Sequence, residues 1–279
     1  MIRALAEAAL RGYSRIAPTE RGGFRLARLV RRLRPREQWR DTFITPDGFR
    51  LKLDLATYPD VSMAYGLYEL DTALVIKKLL RPGDVFVDAG ANIGYFTMLA
   101  ARLGGRVHAF EPHPLNRARL VDHLRDNQLA HLVTVHTEAL SDKRGIATMH
   151  MPPPDAGNHG EASLFGVGEA VEVATARMDE VLAGTKPTLI KLDVEGAEPL
   201  VVAGMTALVQ GEDPPPIIAE YNIDTARRAG FAPTEFIDRL LKLQPRYRVG
   251  VIGSRRSAQP IHVQLATHAV ANLLFRVAS

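Results

Sequence analysis

The chain has 279 residues, 46% hydrophobic and 24% charged, a composition that suits a folded protein with one large α/β domain plus an appendage. It holds no cysteine, which excludes disulfides and thiolate chemistry and is compatible with a reducing cytoplasm. The formal net charge of +4 is unevenly spread: residues 1–40 carry eleven arginines, no lysine and three acids, so a basic arm precedes a mildly acidic body.

The arm reads as helical. Leu26, Leu29, Val30 and Leu33 fall at helical spacing and are expected to pack on the body while the arginines face water. Those arginines otherwise offer contact to phosphate, an anionic surface or an acidic partner. Met1-Ile-Arg-Ala-Leu-Ala-Glu-Ala-Ala-Leu-Arg11 is too short and too broken by charge for the apolar part of a signal peptide. No apolar run approaches the roughly 18 residues of a transmembrane segment. A cytoplasmic location is therefore expected.

Beyond Pro35, Thr42-Phe-Ile-Thr45 and Phe49-Arg-Leu-Lys-Leu-Asp54 flank Pro46-Asp47-Gly48 as a hairpin. Its second strand alternates strictly, with Phe49, Leu51 and Leu53 on one face. A helical stretch from about Val61 to Leu80 follows and stops at Pro82-Gly83. The expected division is a basic helical arm over 1–40, a hairpin and helix over 41–83, and the main domain over 84–279.

From Asp84 onward apolar strands alternate with helices. Strands are expected at 84–88, 106–110, 132–137, 188–193 and 216–221, and helices at about 94–103, 114–128, 197–209 and 232–243. That alternation predicts the α/β class, with a doubly wound, mostly parallel sheet. The tail differs, because 247–252 and 271–277 look like two strands with no helix between; a closing hairpin there adds one antiparallel strand. Between 138 and 187 the pattern is broken by Pro152-Pro-Pro-Asp-Ala-Gly-Asn158-His159-Gly160 and Gly166-Val-Gly168. Such a breaker-rich insertion near the ligand edge suits a lid.

The chemistry concentrates at Asp84-Val-Phe-Val-Asp88-Ala-Gly90-Ala-Asn92-Ile-Gly94-Tyr95. A buried strand, a glycine turn and a helix form a nucleotide-type site, because the turn exposes backbone to a ligand and the helix N-terminus faces it. The spacing is not the G-x-G-x-x-G of dinucleotide enzymes. Asp88 also stands where a pyrophosphate would pass, whereas S-adenosylmethionine brings only a cationic sulfonium and ammonium. Glu111 closes the next strand, 23 residues after Asp88, placed to accept hydrogen bonds from both ribose hydroxyls. Both cofactors have that ribose, so Glu111 supports a nucleoside without choosing between them.

Downstream, Leu189-Ile-Lys191-Leu-Asp193-Val-Glu195-Gly196-Ala-Glu198 begins as an apolar strand and ends in three carboxylates. Ligands of open α/β sheets sit outside the carboxyl ends of the strands, at the switch point. Asp193 is expected near a transferable methyl with Glu195 at its rim, where a carboxylate can accept a proton from an attacking hydroxyl. Glu198 fits the first turn of a helix.

Asp88-Ala-Gly-Ala-Asn-Ile-Gly94, Ala109-Phe-Glu-Pro112, Ser163-Leu164, Thr175-Ala-Arg-Met-Asp179, Lys191-Leu-Asp-Val-Glu-Gly-Ala-Glu198 and Ile218-Ala-Glu220 together resemble the FkbM-type methyltransferases. The resemblance runs from about Tyr65 onward and leaves out the arm; Met178 stands where the family usually has leucine. It implies a seven-stranded Rossmann-like methyltransferase fold, S-adenosylmethionine as cofactor, and methylation of oxygen on a sugar or natural-product hydroxyl. It further implies that Asp88, Gly90, Asn92 and Gly94 hold the methionine part, Glu111 the ribose, and Glu138 with Ala139 the adenine edge. The segment from Asn158 to Leu164 would form the substrate lid, and Glu69 after Tyr68 would border the cofactor.

Other features are set aside. Asp213-Pro-Pro-Pro216 precedes a strand and lacks the closing aromatic of the motif used on base amines. The nine histidines show no metal-binding spacing, although His159 in the lid could serve as a base. Asp193, Glu220 and Asn222 could offer oxygens to a divalent ion, but strand-end acids occur without metal, and no metal site is assigned. The alternative function is a non-catalytic nucleoside-cofactor or nucleic-acid-binding module that uses the arm.

Overall fold

The computed structural model describes residues 5–7, 9, 10, 12, 27, 30–57, 59–151, 163–165, 168–254 and 259–277. The first elements are the hairpin β1 (Arg40–Ile44) and β2 (Arg50–Asp54), then α1 (Asp60–Tyr65) and α2 (Leu70–Leu79). The single helix expected over 61–80 is split at Gly66. That residue has φ +69°, which only glycine adopts at low cost, and a Cβ there would overlap the Pro46 ring.

The main domain opens with β3 (Val85–Ala89), α3 (Tyr95–Arg102), β4 (Arg106–Phe110), α4 (Pro114–Asp126) and β5 (Val133–His136). The expected lid, Asn158 to Leu164, falls mostly outside the described residues, but the insertion around it is structured. It contains a small sheet of β6 (Ala139–Leu140), β7 (Gly145–Met151) and β8 (Glu169–Ala176), in the order β6-β8-β7, followed by α5 (Met178–Val181). Then come β9 (Leu189–Leu192), α6 (Glu198–Gly204), α7 (Thr206–Gln210), β10 (Ile217–Asn222), α8 (Ile223–Arg228), α9 (Glu235–Leu243) and β11 (Tyr247–Val251). A short α10 (Ile261–Leu265) lies before β12 (Val270–Val277), where the sequence suggested no helix.

The seven-stranded sheet has the order β11-β12-β10-β9-β3-β4-β5. All its described pairings are parallel except those of β12, which runs antiparallel to both β10 and β11. This is the Rossmann-like methyltransferase arrangement, with its single reversed strand. Side chains alternate across a strand, so register decides which face each residue serves. Phe86, Val107, Ala109, Leu189 and Ile218 pack on one face with α3 and the hairpin residues Phe49 and Leu51. Val87, Ala89, Phe110, Ile190, Leu192 and Ala219 pack on the other, against Val201, Val202 and Leu240. Both faces are covered, as a parallel sheet requires.

The arm is joined to this core. Leu10, Ala27 and Val30 are buried in the same cluster as Phe43 and Leu51, whereas Leu33 is 45% exposed. Leu26 and Leu29 lie outside the described residues. Two of its described arginines are engaged: Arg34 Nε donates to Glu7 Oε1 at 2.6 Å, and Arg31 Nη1 donates to the Leu55 carbonyl at 2.6 Å while stacking over Trp39. No helix among the described residues is long and apolar enough to cross a membrane.

Candidate active site

The carboxyl ends of β3, β4, β9 and β10 open into one cavity of about 720 Å³. The glycine turn after β3 forms its floor. Backbone N–H groups of Gly90 and Ala91 both donate to the Phe110 carbonyl at 3.0 Å, which fixes the turn to β4. Gly90 has φ +83°, and a Cβ there would run into the carbonyl of Asp193, so only glycine lets β3 and the chain after β9 approach this closely.

Glu111 takes two backbone donors, Asn92 N–H on Oε2 at 2.6 Å and His113 N–H on Oε1 at 2.9 Å. Each oxygen keeps a second lone pair for a ligand. Burial pushes this carboxyl up to about 7, against the lowering effect of the two N–H donors. The His113 side chain caps α4 by accepting from Leu115 and Asn116 N–H, which holds the chain after β4 in place.

Lys191 lies inside the apolar strand β9 and its side chain is 2% exposed. Its ammonium meets Asp193 Oδ2 at 2.7 Å and sits 4.9 Å from the Phe96 ring centre. Burial alone would favour neutral lysine; Asp193, Glu69 and Asp88 outweigh it and raise Lys191, so the ammonium stays charged. Opposite it, Asp88 accepts the Thr97 hydroxyl at 2.6 Å. Burial raises the Asp88 carboxyl, and Lys191 opposes that.

Of the sequence candidates, Gly90, Asn92, Glu111, Glu138, Ala139, Asp193 and Glu195 border the cavity. Asp88 and Gly94 do not: Asp88 is 1% exposed behind the wall, and Gly94 starts α3. Asn222 and Glu69 also border it, and Glu69 Oε2 accepts from Asn272 Nδ2 at 2.7 Å. Glu198 Oε1 accepts Val194 N–H at 3.0 Å, and burial pushes its carboxyl up to about 7. Ser163 donates from Oγ to the Glu195 carbonyl at 2.7 Å, which ties the near end of the insertion to the site. His159 falls outside the described residues.

Sequence reasoning gave no role to Lys191, Asn272 or the α8 residues Asp224 and Arg228, all of which border the cavity. For Lys191 there was a usable clue, since a lysine within an apolar strand needs a carboxylate. Among the described lining residues eight are Asp or Glu and two are Lys or Arg. That balance favours a cationic ligand over a pyrophosphate. Three of the four described non-glycine residues with positive φ, Glu69, Asn92 and Glu195, lie on this cavity, so the backbone strain collects at the site. No group of three or more metal-ligating side chains occurs among the described residues.

Residues 88–240 match the family described as the methyltransferase FkbM domain. The chain is 36% identical to 31-O-demethyl-FK506 methyltransferase FkbM of Streptomyces tacrolimicus, over 45% of this chain and 61% of that protein. It is 28% identical to hexuronic acid methyltransferase AglP of Haloferax volcanii, over 51% of this chain and 58% of that protein. The chain thus spans about three fifths of each relative's length. Among solved structures it is similar to a SAM-dependent O-methyltransferase of Thermotoga maritima, at 15% identity and a TM-score of 0.44, covering 76% of this chain and 66% of that one.

Proposed function

This chain belongs to the FkbM family of methyltransferases, and from that premise we propose that it moves a methyl group from S-adenosylmethionine to a hydroxyl oxygen of a sugar, glycan or natural product. The relatives act, by their names, on a hexuronic acid and on a demethylated FK506, which supports a hydroxyl-bearing small molecule as acceptor. One observation carries the reading: the Gly90 turn, Glu111 and the Lys191–Asp193 pair share a single cavity whose charged lining residues, among those described, are mostly acidic.

Bound S-adenosylmethionine supplies an electrophilic methyl on a cationic sulfur. The protein's share is placement. Glu111 offers its two remaining lone pairs to the ribose diol, the Gly90–Asn92 backbone borders the methionine part, and Glu138 with Ala139 borders the adenine. Gly94 shapes the turn as the start of α3, and Asp88 acts from behind it, through Thr97 and Lys191. The acidic lining complements the sulfonium and ammonium. Asp193, steadied by the Lys191 ammonium, orients the acceptor hydroxyl, with Glu195 beside it. Alignment of hydroxyl and methyl at near-attack distance supplies most of the acceleration.

The test is a ranking of ligands. S-adenosylhomocysteine is expected to raise the melting temperature and NADH to leave it unchanged, because stabilisation follows ligand excess over its dissociation constant. The opposite ranking overturns this function.

A further inference from the structure

Register brings a row of polar side chains together on one face of the sheet. Asp88 pairs with Lys191 across β3 and β9, Ala219 pairs with Leu192, and Glu220 pairs with Asn272 across β10 and β12. Alternation then puts Lys191, Asp193 and Glu220 on the face of Asp88 and Asn272. Nearly every member has a partner. Asp88 accepts the Thr97 hydroxyl, Lys191 meets Asp193, and Asn272 donates to Glu69 and, at 3.0 Å, to Thr72 Oγ1.

Glu220 is the exception. No hydrogen-bond donor or cation reaches its carboxyl within bonding distance among the described residues, and it borders the cavity. Four carboxylates face it: Asp193 and Glu195 from the chain after β9, Glu69 from the start of α2, and Glu198 from α6. Lys191 is committed to Asp193, Asn272 is neutral, and Arg228 and His268 border the same cavity further along the chain.

We propose that Glu220 is the group that takes the proton of the acceptor hydroxyl, with Asp193 as its orienting neighbour. The proposal rests on the methyltransferase reading above. In the reaction the acceptor O–H bond breaks and its oxygen bonds to the methyl carbon. The carbon–sulfur bond breaks with its electrons left on sulfur, and the proton goes to the Glu220 carboxylate. Asp193 is already engaged, since its Oδ2 receives the Lys191 ammonium. Glu220 has no such cation. Burial first, then the carboxylates around it, raise its proton affinity well above the ordinary carboxylate range. A base is most effective when its affinity approaches the working pH. The carboxylates around Glu220 favour its protonated form, and a positive charge brought into this acidic chamber favours release of the proton.

The test uses the full chain and needs no acceptor. Calorimetric titration with S-adenosylmethionine and with S-adenosylhomocysteine, each in buffers of different ionisation heat near neutral pH, counts protons exchanged on binding. The two ligands share the ribose, so contributions from Glu111 cancel in their difference. The sulfonium form is expected to release more protons than the thioether, by up to about one. Glu220→Gln should abolish that difference, while Glu198→Gln and Glu220→Asp should retain it. A difference that survives Glu220→Gln, or one that vanishes equally in Glu198→Gln, overturns the assignment. If Glu220→Gln does not fold, Glu220→Asp decides in its place: moving the carboxyl back by one methylene should shift the pH at which the difference is largest, and an unshifted pH profile overturns the assignment. Failure of both ligands to bind the unaltered protein would instead remove the methyltransferase reading itself.

Discussion

The backbone N–H of Lys52 donates to Nε2 of His123 at 3.0 Å, so the hairpin before the main domain is hydrogen-bonded to the last turn of α4. The opposite ring nitrogen, Nδ1, lies 2.9 Å from the Ile93 carbonyl in the glycine turn. With Nε2 accepting, Nδ1 carries the proton, and the ring is neutral. Burial lowers the proton affinity of His123 accordingly. His123→Ala is expected to destabilise the fold by about 2–4 kcal/mol, because it leaves a cavity and strands the Lys52 N–H. Urea unfolding would measure this, and a loss below about 0.5 kcal/mol would mean that the hairpin is held by its apolar face alone.

Glu111→Gln should weaken S-adenosylhomocysteine binding roughly 10- to 100-fold, by loss of charge-assisted hydrogen bonds to the ribose. The two N–H donors land on different oxygens, so one of them would face the new amide NH2. A fall in stability of about 1–3 kcal/mol is expected with it. Unchanged affinity by calorimetry would show that the ribose is held elsewhere.

Gly90→Ala is expected to disturb the site more than any conservative change on its rim. The substitution must hold φ +83° with a Cβ and push back the Asp193 carbonyl. The strain is about 1–3 kcal/mol or more, and relief by backbone movement displaces Asp193. Normal ligand affinity in a folded Gly90→Ala protein would refute the close approach of β3 to the chain after β9.

Stability should fall on going from slightly acidic to slightly alkaline solution. Glu111 and Glu198 hold their protons up to about pH 7 when folded, against 4.5 in the open chain. Their contribution is complete below about pH 4.5 and is lost as pH rises through about 7. Glu198→Gln, which keeps the shape without the charge, should flatten the decline in melting temperature between about pH 6 and 8. An identical pH profile in the variant would show that Glu198 ionises normally.

A chain shortened to begin at Asp41 is expected to lose solubility or melt at lower temperature. It uncovers the surface against which Leu10, Ala27 and Val30 pack, and it deletes the Arg31 contact to Leu55. Burial of a Leu or Val side chain stabilises by about 1.5–3 kcal/mol. Full stability of the shortened chain would make the arm a true appendage.

The main sheet was legible in the sequence because its strands are buried on both faces and read as apolar runs: Val85-Phe86-Val87 and Ile217-Ile218-Ala219 need no alternation to be seen. The small sheet was not, because Gly145–Met151 and Glu169–Ala176 are buried at only a third of their positions and carry a weak pattern. The break at Gly66 was hidden inside an otherwise helical composition. At the site, Gly90 and Glu111 were legible from strand–turn–helix logic. The inward turn of Asp88 was not, since it depends on register with Lys191, which long-range pairing decides. Glu220 was noticed only as a possible metal ligand, because the crowding that singles it out comes from segments as distant as Glu69 and Glu198.

The reversed strand has a consequence for how the molecule is made. Glu69 receives its hydrogen bond from Asn272, about two hundred positions later, and β12 wedges between β10 and β11, both emerging before it. On the ribosome, β3, β4 and β5 can pair early, but the acidic chamber stays open on one flank until residues 270–277 are released. Cofactor capture is therefore expected only once β12 has emerged, and nascent chains stalled before residue 270 should not retain S-adenosylhomocysteine even though most of the sheet has already left the exit tunnel.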